Sequence, residues 1–301
     1  MPAAVPASIH LDYRAKPSVL GFMANVWRPS RGFSADGLLP DIQAQWHGQR
    51  ASPRQLSEFF GLSGLPASEA LPILYPHTVS FPMLMAVLSH PRFPLPIWNV
   101  LQVRNRLVQH EPIAPDAVLD FKVRTGARRL LEKGAEMDLH VNAECSGRKV
   151  WEAVNTFYAR GRFGTAGAAA AAAPASPAVA GEARADWRMD DHGCWRYGRL
   201  SGDLNPLHMS NWYARRFGYA RAFAHPQRAI GQCLAHLGVA HHAPLQLETW
   251  IKGPVFYDSR LSLRSEPQPA VHLFALHVDG DTRPAIVGRC LTLNAIGGSS
   301  T

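Results

Sequence analysis

The chain has 301 residues, 47% hydrophobic and 18% charged, enough for one large core or two of about 150 residues each. No apolar run approaches the ~18–20 residues that cross a bilayer. Residues 1–20 lack the basic start and apolar stretch of a secretory signal. Cys145, Cys194, Cys233 and Cys290 follow neither a disulfide nor a zinc spacing, so a cytoplasmic protein with reduced thiols and no membrane partner is expected. Thirty-one Lys+Arg against 23 Asp+Glu leave a formal charge of +8, which favours an anionic partner. The arginines fall in ones and twos, as at Arg128-Arg129 and Arg215-Arg216, and no basic tract interleaves with aromatics. That excludes nucleic acid from the expected partners and leaves a small polyanionic ligand.

Residues 1–38, rich in Pro, Gly and Ser, read as a surface arm. Ser52-Pro53-x-Gln55 has the form of a helix start, with an N-cap serine, a proline at the first position and a glutamine reaching back. Thr78–Leu88 is apolar on most faces and is expected to be buried. Alternating stretches follow at Leu101–Leu107, Leu119–Val123 and Ala135–Cys145, the last a clean period-two pattern typical of an antiparallel strand covered on one face. Residues 164–180 carry no charge and join Ala168–Ala173 to Pro174 and Pro177, the composition of a linker. Residues 181–301 repeat the order. A helix is expected over Gln227–His241, then alternating runs at Leu245–Ile251, Arg260–Ser265, Val271–Val278 and Ala285–Leu293. Gly61-Leu62-Ser63-Gly64-Leu65 parallels Arg199-Leu200-Ser201-Gly202-Asp203, and Tyr75-Pro76-His77 parallels Ala224-His225-Pro226. Helix, then meander, twice over, is an α+β arrangement of two similar halves.

The chemistry concentrates in Tyr197-Gly-Arg-Leu-Ser-Gly-Asp-Leu-Asn-Pro-Leu-His208. Ser201-Gly202-Asp203 and Asn205-Pro206 are clustered turn formers. Asn205 is the expected N-cap and Pro206 the first residue of a short helix running through Trp212, Tyr213 and Phe217. Asp203 then precedes the helix and His208 lies in its first turn, an arrangement able to share one water for general acid–base work. Read as bare residues, the same positions equally suit a capping aspartate and a solvated histidine. His241-His242 are adjacent, face apart on the expected helix, and no HExxH occurs, so neither a metal nor any other cofactor is expected.

Ser201, Gly202, Asp203, Asn205, Pro206, Leu207 and His208, with Tyr197 before them, resemble the signature of the MaoC-like, (R)-specific enoyl-CoA hydratase family. Ala214, Gly218-Tyr219 and Ala224-His225 continue the likeness, which is strong over 185–297 and weaker over 39–163. The resemblance implies a double hotdog, two repeats of a long helix wrapped by a curled antiparallel sheet. Residues 181–301 would be the catalytic repeat and 39–163 a degenerate repeat that takes the acyl chain. It further implies that Asp203 and His208 activate the water added to C3 of a 2-enoyl thioester of CoA or an acyl carrier, or run the reverse dehydration. Ser201, Gly202, Asn205, His225 and Gln227 would bind the substrate. Leu65 stands where Asp203 would, so one site per chain is implied. A homodimer or a complex with another hotdog subunit is the implied assembly.

Two places depart from the family: its frequent Asp-Pro after the motif histidine is here Ser210-Asn211, which mainly starts the helix, and the second bears on the oxyanion. The glycine that follows the His225 position, whose N–H serves the oxyanion hole, is here Pro226, which has no N–H. One such donor is worth on the order of 3 kcal/mol. Gln227 N–H is the candidate replacement. The alternatives are a hotdog subunit that binds acyl thioesters without turnover, and a hotdog thioesterase.

Overall fold

The computed structural model describes residues 8–18, 21–22, 32–33, 39–164, 174–268 and 270–293. The alanine run expected to be a linker, Ala168–Ala173, lies outside the described residues, as does most of the expected arm. The described part of the arm includes a strand, β1 (Ile9–Tyr13), paired in parallel with β2 (Ile42–Arg50). This parallel pair is a departure from the antiparallel meander that the alternating runs predict.

The chain forms two compact units. The first comprises residues 1–50, 80–105 and 118–174, and the second 51–79, 106–117 and 175–301. In the first unit the strand order is β1-β2-β4-β5-β6-β3, with β4 (Val118–Leu131), β5 (Gly134–Cys145), β6 (Arg148–Arg160) and β3 (Val100–Gln109), whose last residues fall past the unit boundary at 105. The period-two pattern of 135–145 does what it predicts: Ala135, Met137, Leu139, Val141 and Ala143 are buried, facing the same core as Phe121, Val123, Trp151 and Ala153. Each fully buried large side chain contributes roughly 1.5–3 kcal/mol.

The second unit has the strand order β8-β11-β10-β9-β7, antiparallel throughout, with β7 (Glu182–Arg188), β8 (Leu245–Ile251), β9 (Arg260–Gln268), β10 (Val271–Val278) and β11 (Ile286–Thr292). Among the described residues four helices lie wholly within it: α1 (Pro53–Ser63), α3 (Cys194–Ser201), the short α4 (Asn211–Arg216) and α5 (Pro226–Leu237). The unit boundary falls within α2 (Leu74–Leu88). Helix α1 starts with the expected capping box on Ser52 and Gln55. Helix α5 packs on β7 and β10 and buries Ile230, Cys233 and Leu234; Trp187 of β7 donates its indole N–H to Gln232 at 2.8 Å. It crosses α1 at Gly231, where a Cβ would lie 2.7 Å from that of Ser63, so only glycine permits the approach. The helix ends at Leu237, closed by Gly238 at φ 68, four residues short of the expected end. His241 and His242 therefore follow the helix instead of riding on it.

The two parallel pentapeptides fold alike. Ser63 donates its hydroxyl to Phe59 O at 2.7 Å and Ser201 to Tyr197 O at 2.8 Å. Gly64 (φ 70) and Gly202 (φ 78) then close α1 and α3 in the left-handed region, the usual role of glycine there. Leu65 follows the first cap and Asp203 the second, so the same local device presents an apolar side chain in one copy and a carboxylate in the other.

Candidate active site

Helix α3 delivers the chain to Gly202, and a chain of local hydrogen bonds then builds the turn. The Ser201 hydroxyl, already donating to Tyr197 O, accepts the N–H of Asp203 at 3.2 Å. Asp203 Oδ1 accepts the N–H of Asn205 at 3.2 Å, and Asn205 Oδ1 accepts that of Leu207 at 3.1 Å. These are side chains substituting for backbone partners, the reason Ser, Asp and Asn cluster in turns. Ser201 thus uses its hydroxyl, and Asn205 its Oδ1, inside the turn. Pro206–His208 is a single 3-10 turn, after which Met209 (φ −131) breaks the helical path. Ser210 then caps α4 by accepting Tyr213 N–H at 3.3 Å. The single helix expected from Pro206 to Phe217 is two pieces, because Ser210-Asn211 starts its own.

The turn brings together Asp203, His208 and His225. His208 Nδ1 lies 2.9 Å from Phe223 O. A carbonyl only accepts, so Nδ1 carries the proton and Nε2 presents a lone pair. That Nε2 faces Asp203 Oδ2 at 3.6 Å. Two acceptors at this separation form no direct bond, but a water between them can donate one proton to each. His225, at the N-cap of α5, directs Nε2 to the backbone carbonyl of Asp203 at 3.0 Å, which makes Nε2 its donor. Its Nδ1 is buried and has no hydrogen-bond partner among the described residues. Burial holds the His225 pKa well below its ordinary value, and the neighbouring His208 acts in the same direction. Tyr197, the first residue of the motif, is buried against His225 with ring centroids 5.0 Å apart, and its hydroxyl meets Thr78 Oγ1 at 3.2 Å. Gln227 is buried in the first turn of α5; with Pro226 ahead of it, its N–H is the first amide of that helix.

The same three side chains offer ligand atoms within 4.8 Å of one another. A cation would have to take Nε2 of His225 from the Asp203 carbonyl and leave the ring proton on Nδ1, where it has no partner. The arrangement suits a shared water better than a metal.

Three further contributors are not apparent from the motif. Phe223 fixes the tautomer of His208 through its carbonyl and packs edge-on against the ring at 4.9 Å. Gly198 lets α3 touch the turn: a Cβ there would lie 3.0 Å from Asp203 O and 2.3 Å from Met209 Cε. Arg228, buried in α5, donates to Leu62 O at 3.2 Å, Asp190 O at 2.9 Å and Asp190 Oδ1 at 3.0 Å, anchoring the helix that carries His225. The signal in the sequence was charge: residues 204–247 contain no Asp or Glu but hold Arg215, Arg216, Arg221 and Arg228.

No family model matches the chain. Among curated proteins it is 25% identical over 185 residues to 3-hydroxyacyl-thioester dehydratase X of Mycobacterium tuberculosis, a match covering 62% of this chain. It covers 66% of that relative, just under two thirds of its length. The crystal structure of HtdX from Mycobacterium tuberculosis superposes with a TM-score of 0.71 at 20% identity, covering 83% of this chain and 100% of that one. A MaoC-like dehydratase from Phytophthora capsici gives a TM-score of 0.70 at 18% identity, covering 84% and 95%. This chain has a double hotdog fold. A Mycobacterium tuberculosis protein described as having a double hotdog fold matches with a TM-score of 0.56 at 15% identity, over 87% of this chain and 98% of that one. In this double hotdog the Asp–His turn and the His225 N-cap all lie in the second unit. Among the described residues no helix is long and apolar enough to cross a membrane, and all four cysteines are free.

Proposed function

We propose that this chain is a cytoplasmic hydro-lyase that hydrates a 2-enoyl thioester to the (R)-3-hydroxyacyl thioester, or runs the reverse dehydration. The observation that carries this is the pair of acceptors, His208 Nε2 and Asp203 Oδ2, held 3.6 Å apart with the His208 tautomer fixed from behind. A water donating to both presents its oxygen lone pair to C3. As the O–C3 bond forms, the π electrons move through C2 to the thioester oxygen, and the proton taken from water is returned to C2, so that H and OH add across the double bond. General acid–base catalysis of this kind contributes typically 10²–10⁴ in rate.

The negative charge on the thioester oxygen needs a donor. Gln227 N–H takes that role where Pro226 has none. Ser201, Gly202 and Asn205 serve the substrate by holding the turn, and His225 by fixing the Asp203 carbonyl. Residues 39–163, without a counterpart of Asp203, are left to the acyl chain. One observation favours a second reading, an acyl-thioester-binding subunit without turnover: Pro226 removes a donor at the very start of α5.

The test is incubation of the purified protein with short- and medium-chain trans-2-enoyl-CoAs and chiral analysis of the product. The (R)-3-hydroxyacyl thioester is expected. An (S) product, or saturable binding without product, overturns the reading.

A further inference from the structure

Two of the five large hydrophobic side chains that stand exposed among the described residues, Trp212 (68% exposed) and Phe217 (47%), belong to α4 and its C-cap. Side chains four apart share a helix face, and two such pairs run side by side here. Tyr213 and Phe217 lie with ring centroids 4.8 Å apart, and the Arg216 guanidinium is 5.3 Å from the Trp212 ring. Tyr213 roots the first pair in the cluster of Leu207, Ala214 and Phe223, and Phe217 carries it outward to solvent.

Local hydrogen bonds hold this segment in place. Ser210 caps α4, Asn211 Oδ1 accepts Ala222 N–H at 2.8 Å, Tyr219 N–H donates to Ala214 O at 3.1 Å, and Arg215 Nε donates to Ala220 O at 3.2 Å. Two aromatic rings are thus presented to water at a fixed position, an arrangement that marks an interaction site. The charge beside them has one sign. Residues 204–247 contain no Asp or Glu, and the exposed Arg215 and Arg216 have no ion pair among the described residues. Arg221 is committed elsewhere, to Tyr257 O, the Ser259 hydroxyl and Asp279.

A symmetric contact with a second copy would set these arginines against their own counterparts. A folded protein partner would need a pocket for each projecting ring. A fluid anionic lipid surface needs neither: indole rings settle at headgroup level, arginines meet phosphates, and binding grows with apolar area and charge together.

We infer that residues 211–217 dock the protein on an anionic lipid surface. The sequence points away from a membrane partner because no run spans a bilayer; a peripheral contact needs no spanning run. His208 lies three residues before α4, so docking holds the Asp203–His208 turn beside the surface. The inference does not depend on the thioester reading.

The test is co-sedimentation with vesicles of phosphatidylcholine alone and of phosphatidylcholine and phosphatidylglycerol in equal parts. Each arginine near such a surface is worth roughly fivefold, so the wild type is expected to prefer the anionic vesicles by about tenfold or more, and less so at high salt. Trp212→Ala/Phe217→Ala keeps every charge and is expected to lose about tenfold in binding. Arg216→Gln leaves both rings in place, is expected to lose about fivefold, and decides the matter if the aromatic variant fails to fold. Equal binding to neutral vesicles, or anionic binding unchanged in the variants, overturns the inference. So does a wild type that binds neither vesicle; a wild-type dimer that Trp212→Ala/Phe217→Ala dissociates, read by size-exclusion chromatography, would then give this face to a second copy.

Discussion

The imidazole of His208 lies on that of His225, with ring centroids 3.9 Å apart and planes 27° from parallel. Two carbonyls set their protons from different sides: Phe223 O holds the proton of His208 on Nδ1, and Asp203 O that of His225 on Nε2. Two charges about 4 Å apart repel by about 4 kcal/mol at an effective dielectric of 20, so the stack resists carrying two protons. Of the two rings, His225, held neutral by burial, is the one that refuses the second proton.

The stack also shapes acid stability. His225 is neutral in the fold because burial pushes its pKa well below the ordinary value, with His208 next in effect and the hydrogen bond to Asp203 O opposing both. Above a pH of about 6.5, where an unfolded histidine is also neutral, the stabilisation is fully present. As pH falls below that, the unfolded chain takes up a proton that the fold refuses. Stability then falls by up to about 1.4 kcal/mol per pH unit until the folded pKa is passed. Denaturant unfolding of the wild type between pH 7 and 5 should therefore be steeper in pH than that of His225→Gln. Parallel curves would remove His225 from the acid response.

The oxyanion donor can be tested with one residue. Gln227 sits at the second position of α5, within the first turn where proline is tolerated, so Gln227→Pro removes that N–H. The expected loss is 10²–10³ in kcat. Full activity would assign the oxyanion to another group.

Gly198 holds α3 against the turn. In Gly198→Ala, Met209 Cε can move aside, but the Asp203 carbonyl 3.0 Å from the new Cβ is backbone. Overpacking of this kind costs about 1–3 kcal/mol. Displacing Asp203 from His208 should lower kcat by about ten- to a hundredfold, read from steady-state kinetics beside a denaturation curve. A destabilised but fully active variant would mean that the turn shifts as one body.

The Asp203–His208 turn was legible because it is local. Ser201, Asp203 and Asn205 bond to neighbours two to four residues away, and Gly202 is there for its left-handed backbone. The strand at 134–145 was legible because one face is buried and its alternation is uninterrupted. The break at Met209 was not, although Ser210-Asn211 carried the signal: a second cap four residues after Pro206 competes with helix continuation, and the competition is decided by packing of Leu207 and Ala214 against Phe223. Phe223 O, the parallel β1–β2 pair and the anchoring of α5 by Arg228 join residues far apart in sequence, and no short-range pattern encodes them. The pairing of Ser63-Gly64 with Ser201-Gly202 was visible as a repeat, but its meaning, one helix-closing device used twice, needed the hydrogen bonds.

The Asp203–His208 mechanism is measured most directly by the decay of conjugated enoyl-thioester absorbance with wild type, Asp203→Asn and His208→Ala, each paired with a binding titration of the saturated acyl-CoA. A water shared by the two side chains predicts turnover in the wild type, a loss of at least 10²-fold in both variants, and binding within a few-fold of the wild type in all three. Turnover retained in His208→Ala would contradict it.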